Sequence, residues 1–172
     1  MIEINTPRLL LRKVQERDKQ DMFELCSDEQ GCLDDGGYHA FTEMNEEFDA
    51  LFQQFLDQTR YAVVLKEENK AIGIINVMQE YRAVSTYELG FSINPKYQRK
   101  GYAYEAVSHL IRTWFDQTDT QMFLAGHFPY NTASKNLIQK LGFTGEGKRR
   151  KAVDHAVYGP TDLEYHYLEK TV

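Results

Sequence analysis

Cysteine, proline and tryptophan are scarce in this chain of 172 residues, which has two cysteines, four prolines and one tryptophan. Cys26 and Cys32 form no C-x-x-C motif and have no histidine at the spacing of a metal site, so neither a zinc site nor dithiol chemistry is predicted. No apolar run approaches the roughly 20 residues of a membrane-spanning helix, and residues 1–5 lack the features of a signal peptide. We therefore expect a cytoplasmic protein that needs no metal and binds no membrane.

Positive charge is also in short supply, because 20 Lys and Arg residues face 26 Asp and Glu residues and leave a net charge of −6. A protein that binds nucleic acid needs a basic face to displace counterions, so this class is disfavoured. The basic run 148–151 is an exception, which we interpret as a solvated strand edge or, alternatively, as a screen for the phosphates of a ligand. The length suits one domain over residues 1–172, and the thinly spread prolines mark no linker.

Apolar periodicity predicts alternating strands and helices, and therefore an α/β domain with a mixed sheet. Seven strands are expected near residues 8–12, 61–65, 71–81, 87–93, 122–125, 146–152 and 163–168. Four helices are expected after the potential caps Asp18 and Asn45, from Gly101, and after Asn131. A helical crossover joins the fourth and fifth strands, which predicts that these two strands are parallel. Residues 28–44, which are rich in glycine and carboxylates, are expected to form a loop.

The most informative segment is residues 98–103, Gln-Arg-Lys-Gly-Tyr-Ala, which lies between a predicted strand and the predicted start of a helix. A glycine allows the backbone to approach a ligand closely, and the first N–H groups of a helix have no partners within it. Such a helix start favours an anion, and Arg99 and Lys100 add positive charge. The segment therefore indicates a phosphate-binding loop, with a plain helix start and a solvated basic turn as the alternative.

Three motifs occur in an order that resembles the GNAT acetyltransferase superfamily along nearly the whole chain. They are the opening Thr-Pro-Arg-Leu-Leu-Leu-Arg at 6–12, the loop at 98–103, and Asn-Thr-Ala-Ser at 131–134 followed by Lys-Leu-Gly-Phe at 140–143. The opening is similar to the RimJ/RimL-type branch, whose named members acetylate the N-termini of ribosomal proteins. The resemblance implies an α+β fold with a mixed, mostly antiparallel seven-stranded sheet, about four flanking helices and a splayed parallel strand pair that binds acetyl-CoA.

The resemblance also implies which residues bind acetyl-CoA. The strand at 88–93 splays from its parallel neighbour, so that backbone groups of Phe91, Ser92 and Ile93 pair with the pantetheine amides like an added strand. Asn131 is implied to bond the pantetheine arm through the amide nitrogen that a helix cap leaves free. The pyrophosphate loop is implied to consist of Gln98, Arg99, Lys100, Gly101, Tyr102, Ala103 and Tyr104.

Acetyl transfer to an amine needs a base for the amine and an acid for the departing thiolate. Glu88 is our candidate base, acting directly or through water; alternatively, it is a charge on the solvated face of its strand. Many GNAT enzymes use a tyrosine on the last long helix as the acid, but the matching position here is Ile138. Ser134 or a water is therefore expected to assist the thiolate. His127 and Tyr130 are weaker candidates for the base.

Residues 28–44 and the first two helices are the implied walls of the acceptor site. Asp34, Asp35 and Glu43 can attract a cationic amine there, although an acidic loop in an acidic protein is more often simply solvated. An α-amine with a pKa of about 7.7 to 8.0 is already roughly a tenth deprotonated at pH 7, whereas a lysine-like amine is not. We therefore expect transfer to the N-terminal amine of a protein or peptide.

Other interpretations stay open. The acceptor can instead be a small-molecule amine, such as a polyamine, an amino acid or an antibiotic. The chain can also be a non-catalytic acyl-CoA-binding sensor, which the departure at Ile138 favours. A RimL-like base would lie after Phe143, where only Asp154 is nearby, and this argues against strict specificity for ribosomal proteins. A homodimer is a further alternative, through an aromatic C-terminal strand that contains Tyr165, His166 and Tyr167.

Overall fold

The computed structural model describes residues 1–57, 59–80 and 85–171 and arranges them as a mixed sheet with helices. The strands are β1 (Ile4–Asn5), β2 (Leu9–Lys13), β3 (Arg60–Leu65), β4 (Lys70–Gln79), β5 (Thr86–Ile93), β6 (Met122–His127), β7 (Thr144–His155) and β8 (Gly159–Glu169). The helices are α1 (Lys19–Cys26), α2 (Glu29–Asp35), α3 (Glu46–Asp57), α4 (Tyr102–Gln117) and α5 (Thr132–Lys140). Short 3-10 turns at Glu16–Asp18 and Pro95–Tyr97 precede α1 and α4.

The strands follow the order β1-β2-β3-β4-β5-β6-β8-β7 across the sheet. Paired strands are antiparallel except for β5 and β6, which are parallel because α4 carries the chain back along the sheet between them. The predicted sheet, mixed and mostly antiparallel with a parallel pair reached by a helical crossover, is therefore confirmed.

The described residues contain one strand and one helix more than the sequence predicted. β1 has only two residues, too few for a periodic pattern. α2 lies inside a segment predicted as a loop, and it begins where the Asp28 carboxylate accepts a hydrogen bond from the Gly31 N–H at 2.7 Å. Gly159 opens β8 instead of forming the preceding turn, so this strand is longer than predicted. Tyr81, predicted to end its strand, lies outside the described residues.

Side chains that alternate along the central strands build an apolar core on each face of the sheet. Tyr61 and Val63 of β3 belong to one core cluster, together with buried residues of α4 and α5. Ala62 and Val64, which alternate with these two residues along β3, belong to a second cluster with residues of α1 and α3. Helices therefore cover both faces of the sheet, and this packing fixes the positions of the strand ends.

The late strands differ in their position within the sheet. β8 lies between β6 and β7, so its aromatic residues Tyr165, His166 and Tyr167 pair inside the sheet, and the homodimer stays a prediction. β7 is an edge strand, and the basic run 148–151 is exposed on it, in agreement with a solvated strand edge.

Asp18 precedes α1, as predicted, but the prediction that its side chain caps this helix is wrong. Its carboxylate instead accepts hydrogen bonds from the two terminal nitrogens of Arg12 at 2.7 and 2.8 Å, and from the Gln15 N–H at 2.8 Å. The side chains of Arg12 and Asp18 are only 6% and 4% exposed. A buried guanidinium needs such a bidentate partner, and this requirement overrides the capping preference of the aspartate.

We expect Asp18→Asn to lower the free energy of unfolding by about 3 to 5 kcal/mol, because the Arg12 charge would remain buried without its counter-charge. Urea denaturation monitored by circular dichroism measures the loss. Asp49→Asn is the matched control, since it breaks the exposed pair of Asp49 with Lys19 and is expected to cost at most about 1 kcal/mol. Equal losses in the two variants would contradict a structural role for the Arg12–Asp18 pair.

Candidate active site

The parallel strands β5 and β6 pair over only a short stretch. Thr86, Tyr87 and Glu88 lie opposite Met122, Phe123 and Leu124, and no later residue of β5 pairs with β6 among the described residues. β5 nevertheless continues to Ile93, paired along its other edge with β4. The two strands therefore diverge after Glu88 and leave a gap beside residues 89–93. This is the splayed pair that the sequence resemblance implied.

Backbone groups of β5 point into this gap. The Asn94 N–H donates to the Ile72 carbonyl at 2.8 Å, and the Ser92 carbonyl lies so close to Gly73 that a Cβ there would be 2.4 Å away. Ser92 and Asn94 thus face β4. Because strand backbone groups alternate in direction, those of Phe91 and Ile93 face the gap. Gln98 confirms this direction, since its side-chain amide donates to the Ile93 carbonyl at 2.8 Å.

A cleft of about 440 Å³ opens from the gap and runs along the start of α4; we call it the loop cleft. Ten of the eleven residues predicted to bind the cofactor line it. They are Phe91, Ser92, Ile93, Gln98, Arg99, Gly101, Tyr102, Ala103, Tyr104 and Asn131. Lys100 is the exception, because its ammonium lies over the Tyr97 ring, 5.3 Å from the centroid, outside this lining.

The backbone of the predicted phosphate loop is curled. Gly101 has φ +83° at the cap of α4, a left-handed conformation that glycine adopts without steric cost, and Arg99 has φ +58°. Turns that include left-handed residues gather N–H groups into anion-binding concavities. Left-handed backbone at a non-glycine residue is strained and occurs preferentially at functional sites, which makes Arg99 informative.

An ion pair anchors this loop to the beginning of the chain. The Arg8 side chain pairs with Glu105 at 2.7 Å, donates to the Lys100 carbonyl at 3.0 Å and lies over the Tyr102 ring. The Thr6 hydroxyl donates to the same Glu105 carboxylate at 2.6 Å. Partial burial acts to raise the pKa of Glu105, but the hydrogen bonds from Thr6 and Arg8 outweigh it, so the pKa is lowered. The opening motif thus holds the loop in place.

Asn131 caps α5 as predicted, because its side-chain oxygen accepts from the Ser134 N–H at 3.0 Å. Its amide nitrogen carries two hydrogens, of which one is used by the bond to Asp34, so the predicted bond to the pantetheine arm stays a prediction. The nitrogen donates to the Asp34 carbonyl at 2.9 Å and so ties α5 to α2. Asn131 is buried yet lines the loop cleft, where its position is fixed by both bonds.

A second cavity of about 200 Å³ adjoins the loop cleft and contains Glu88; we call it the Glu88 pocket. Glu88 accepts a hydrogen bond from the Tyr165 hydroxyl at 3.0 Å. Burial, with a contribution from the nearby Glu80, raises the pKa of Glu88. Ser134 lines both the Glu88 pocket and the loop cleft, whereas Glu88 lines only its own pocket. Both predicted catalytic residues thus lie at cavities of the same site, with Ser134 at the junction.

A third cavity of about 270 Å³ lies under α2 and contains Cys26 and Cys32; we call it the thiol pocket. Burial raises the pKa of Cys26 to about 12 and that of Cys32 to about 11. Both cysteines are free and protonated at neutral pH. The thiol pocket shares Asp35, Phe91 and Ser92 with the loop cleft, so it opens toward the same gap.

Asp35 occupies the place where the three cavities meet, since the loop cleft, the Glu88 pocket and the thiol pocket are all lined by Asp35 and Phe91. The Ser92 hydroxyl donates to the Asp35 carboxylate at 2.6 Å. Asp35 is exposed toward the cavities, but the protein that packs around its carboxylate partly desolvates it and raises its pKa to about 6. The sequence marked Asp35 only as one of several acidic loop residues. The sequence signal that could have located Asp35 is Asp28. As the cap of α2, Asp28 begins a helix whose last residue is Asp35.

Four other predicted candidates lie away from this junction or hold structural roles. Tyr130 lines none of the three cavities, its hydroxyl lies 2.8 Å from His155, and partial burial raises its pKa to about 12. His127 lines the Glu88 pocket, but its Nδ1 is bonded to the Phe128 carbonyl. Glu43 and Asp154 are both exposed, and neither lines any of the three cavities.

Ile138 does not face the cofactor side of α5. It is fully buried in the core and does not line the loop cleft, so it supplies no acid to the site. The residues of α5 that line the loop cleft are Ala133, Ser134, Asn136, Leu137 and Lys140. Ser134 is the hydroxyl among them, which supports the predicted role better than the correspondence with Ile138 suggested.

Within the described ranges, no three His, Cys, Asp or Glu side chains are grouped closely enough to hold a metal ion. No helix of the described chain is long and apolar enough to cross a membrane.

Comparison with known proteins assigns the chain to a family. Residues 8–144 match the model of the acetyltransferase (GNAT) domain. The chain is 30% identical over 176 residues to the uncharacterized N-acetyltransferase YnaD of Bacillus subtilis (strain 168), with 98% of each chain covered. It is 28% identical over 160 residues to the ribosomal protein uS5-alanine N-acetyltransferase of Escherichia coli (strain K12), with 85% of this chain and 80% of that protein covered.

A similar solved structure is that of a GNAT-family acetyltransferase from Bacillus anthracis, which matches with a TM-score of 0.86 at 29% identity over 98% of both chains. The family model covers most of the chain, and the relative YnaD matches it over nearly its full length. The chain is therefore a member of the GNAT family of N-acetyltransferases, the family that its sequence motifs predicted.

Proposed function

We propose that this enzyme transfers the acetyl group of acetyl-CoA directly to the N-terminal amine of a protein or peptide. The observation that carries the proposal is the junction of the loop cleft with the Glu88 pocket at Phe91, Asn131 and Ser134. The described lining of the Glu88 pocket includes Asp34, Asp35 and Glu88 and no lysine or arginine. An ammonium group is therefore attracted to the point where a thioester in the loop cleft would end.

The residues of the loop cleft fit the donor. Backbone groups of Phe91 and Ile93 face the gap on an edge of β5 that pairs with no strand there among the described residues, which suits the amides of a pantetheine arm. The curled loop and the start of α4 suit a pyrophosphate, and Arg99 and Lys140 add positive charge to the lining. When bound there, acetyl-CoA supplies a thioester, which is already activated toward an amine. The protein then has to orient the two reactants and move protons.

The predicted catalytic residues have different access to the reacting atoms. Ser134 lines both cavities, and we propose that its hydroxyl passes a proton to the departing sulfur. Glu88 lines the Glu88 pocket but not the loop cleft. We propose that Glu88 attracts the ammonium and accepts protons through water rather than by direct contact.

The proposed class of acceptor rests on the pKa of an α-amine and on the name of one relative. An α-amine is deprotonated more readily than a lysine side chain, so it asks less of a base. The Escherichia coli relative is named for acetylation of an alanine of ribosomal protein uS5, and at 28% identity it supports an α-amine here.

A small-molecule amine is the second candidate acceptor, favoured by a bridge over the site. The Ala156 N–H donates to the Gly37 carbonyl at 2.7 Å, and the Tyr130 hydroxyl donates to the Leu33 carbonyl at 3.3 Å. The first bond joins the segment after α2 to the tip of the β7–β8 hairpin, and the second joins α2 to the segment before α5; together they restrict access for a folded chain. The sensor alternative still rests on the lack of a tyrosine acid at position 138, where Ile138 lies in the core.

The function is tested by incubating the protein with isotope-labelled acetyl-CoA and a peptide that begins with alanine, followed by mass spectrometry. We expect label on the peptide's α-amine and none on an internal lysine of the same peptide. An undesalted cell extract serves as a second acceptor source. Label only on a metabolite of the extract would replace the peptide with a small-molecule acceptor. Binding of CoA without any transfer would support the sensor.

Gly101→Glu tests the donor site. We expect CoA affinity to fall at least about a hundredfold, equivalent to about 2.7 kcal/mol, because a side chain is strained at φ +83° and its carboxylate would repel the phosphates. Calorimetry measures the affinity, and circular dichroism checks the fold. Gly145→Glu is the matched control, since a Cβ at Gly145 meets nothing within 4 Å and its affinity should equal that of the wild type. Unchanged binding in Gly101→Glu would refute the loop assignment.

Glu88→Gln tests the acceptor pocket. We expect kcat/KM for the peptide to fall by about tenfold, mainly through a higher KM, because the ammonium would lose one charge interaction worth about 1.4 kcal/mol. Steady-state kinetics over a range of pH measures the effect, with the exposed Glu146→Gln as the control for net charge. Full activity of Glu88→Gln at every pH would remove Glu88 from the mechanism.

A further inference from the structure

We propose that Asp35 is the catalytic base, which contacts the acceptor nitrogen directly and takes a proton from it where the three cavities meet. This inference rests on the proposed acetyl transfer. It assigns to Asp35, at the end of α2, the direct contact that Glu88 lacks, because Glu88 does not line the loop cleft.

Asp35 lines each of the three cavities that open toward the gap. An acceptor can approach β5 through the Glu88 pocket or through the thiol pocket, and Asp35 lines both of them as well as the loop cleft. Phe91 has the same position, and its backbone groups face the gap. An amine that reaches the strand edge at Phe91 is therefore next to the Asp35 carboxylate, whichever pocket it entered by.

The Asp35 carboxylate is held in a defined place. The Ser92 hydroxyl, from the strand that borders the gap, donates to it at 2.6 Å. The helix that carries it is fixed on both sides, since the Asn131 amide donates to the Asp34 carbonyl and the Ala156 N–H donates to the Gly37 carbonyl. A base has to be positioned within hydrogen-bond distance of its proton, and these contacts provide that positioning.

The charges around Asp35 suit a base that works near neutral pH. Desolvation raises its pKa to about 6, and Asp34 and Asp28 of its own segment act in the same direction. The other titratable and charged groups that line the same three cavities are Arg60, Cys26, Cys32 and Tyr38 in the thiol pocket, Glu88 and His127 in the Glu88 pocket, and Arg99, Lys140, Tyr97, Tyr102 and Tyr104 in the loop cleft. At pH 7 the carboxylate is mostly ionised and able to accept a proton, and this ability is lost as the pH falls through about 6.

The proton balance assigns one step to each group. Asp35 takes one proton from the ammonium, and the freed electron pair of nitrogen forms the C–N bond to the acetyl carbonyl carbon. The C–S bond breaks and its electron pair leaves with sulfur. The second proton leaves nitrogen as the amide forms and reaches sulfur through the Ser134 hydroxyl or a water. Asp35 then releases its proton to solvent, so the products are the amide, the free thiol and one proton.

Asp35→Asn is the test, with the pH dependence of kcat/KM as the main measurement. For the wild type we expect activity to rise with pH through about 6, where Asp35 ionises, and again near about 8, where the α-amine does. In Asp35→Asn we expect kcat/KM to fall at least about a hundredfold and the lower of the two transitions to vanish. Asp35→Glu should restore part of the activity and the transition. Asp49→Asn removes the same charge from an exposed position on α3, and its kcat/KM should equal that of the wild type at every pH.

Ser92→Ala supplies a second test that does not depend on Asp35→Asn being folded. The Ser92 hydrogen bond favours the charged carboxylate, so its loss should raise the Asp35 pKa and move the lower transition to higher pH. CoA binding measured by calorimetry should be unchanged in Asp35→Asn. If the lower transition persists in Asp35→Asn and does not move in Ser92→Ala, Asp35 is not the base. Absence of transfer by the wild type would instead refute the proposed function.

Discussion

The divergence of β5 from β6 is the constraint on which the rest of the site depends. Three residue pairs hold the two parallel strands together, and then the pairing stops while β5 continues along β4. A buried strand edge without partners is unfavourable unless a ligand completes it. The fold tolerates the gap because β5 is fixed on its other edge and α4 begins directly beyond it. The cleft, its loop and the two adjoining pockets all open onto this single break in the sheet.

Two of the three motifs that identify the family are joined physically, and the third is tied to α2. The opening motif supplies Thr6 and Arg8, which bind Glu105 in the first turn of α4, and Arg8 also holds the Lys100 carbonyl. At the opposite end of the cleft, Asn131 starts α5 and binds the carbonyl of Asp34. Segments nearly a hundred residues apart in sequence thus fix the two walls of one cleft. Their co-occurrence in the sequence reflects these contacts rather than a common local structure.

The sequence predicted those features that are encoded by nearby residues. The meander, the crossover and the caps at Asn45 and Asn131 follow from periodicity and short-range hydrogen bonds, and the structure confirms them. Ten of the eleven predicted cofactor residues share one cleft for the same reason, since the loop and the strand before it are local motifs. Lys100 does not line the cleft, because a motif does not reveal on which side of the loop a side chain lies, and its role in binding the cofactor stays a prediction.

The features that were missed depend on packing that a local pattern does not show. Asp18 satisfies the buried Arg12, six residues earlier in the chain, instead of capping its helix. Asp35 acquires its surroundings partly from its own segment and partly from β5 and the segment before α5, which are distant in sequence. Ile138 matches the position of the family's tyrosine in the motif, and the rotation of α5 turns its side chain into the core. Charge, burial and helix rotation of this kind appear only once the chain is folded.

The thiol pocket shows how the same burial that tunes Asp35 also protects the reaction. Cys26 and Cys32 line a cavity that shares Phe91 with the cleft, so an ionised sulfur there would compete with the amine for the acetyl group. Desolvation prevents this, because it raises both thiol pKa values well above neutral pH. The same desolvation moves a carboxyl pKa only to about 6, which leaves Asp35 mostly charged at neutral pH. Desolvation thus keeps both thiols protonated and leaves the carboxylate able to accept a proton. The amine remains the nucleophile that can attack the thioester.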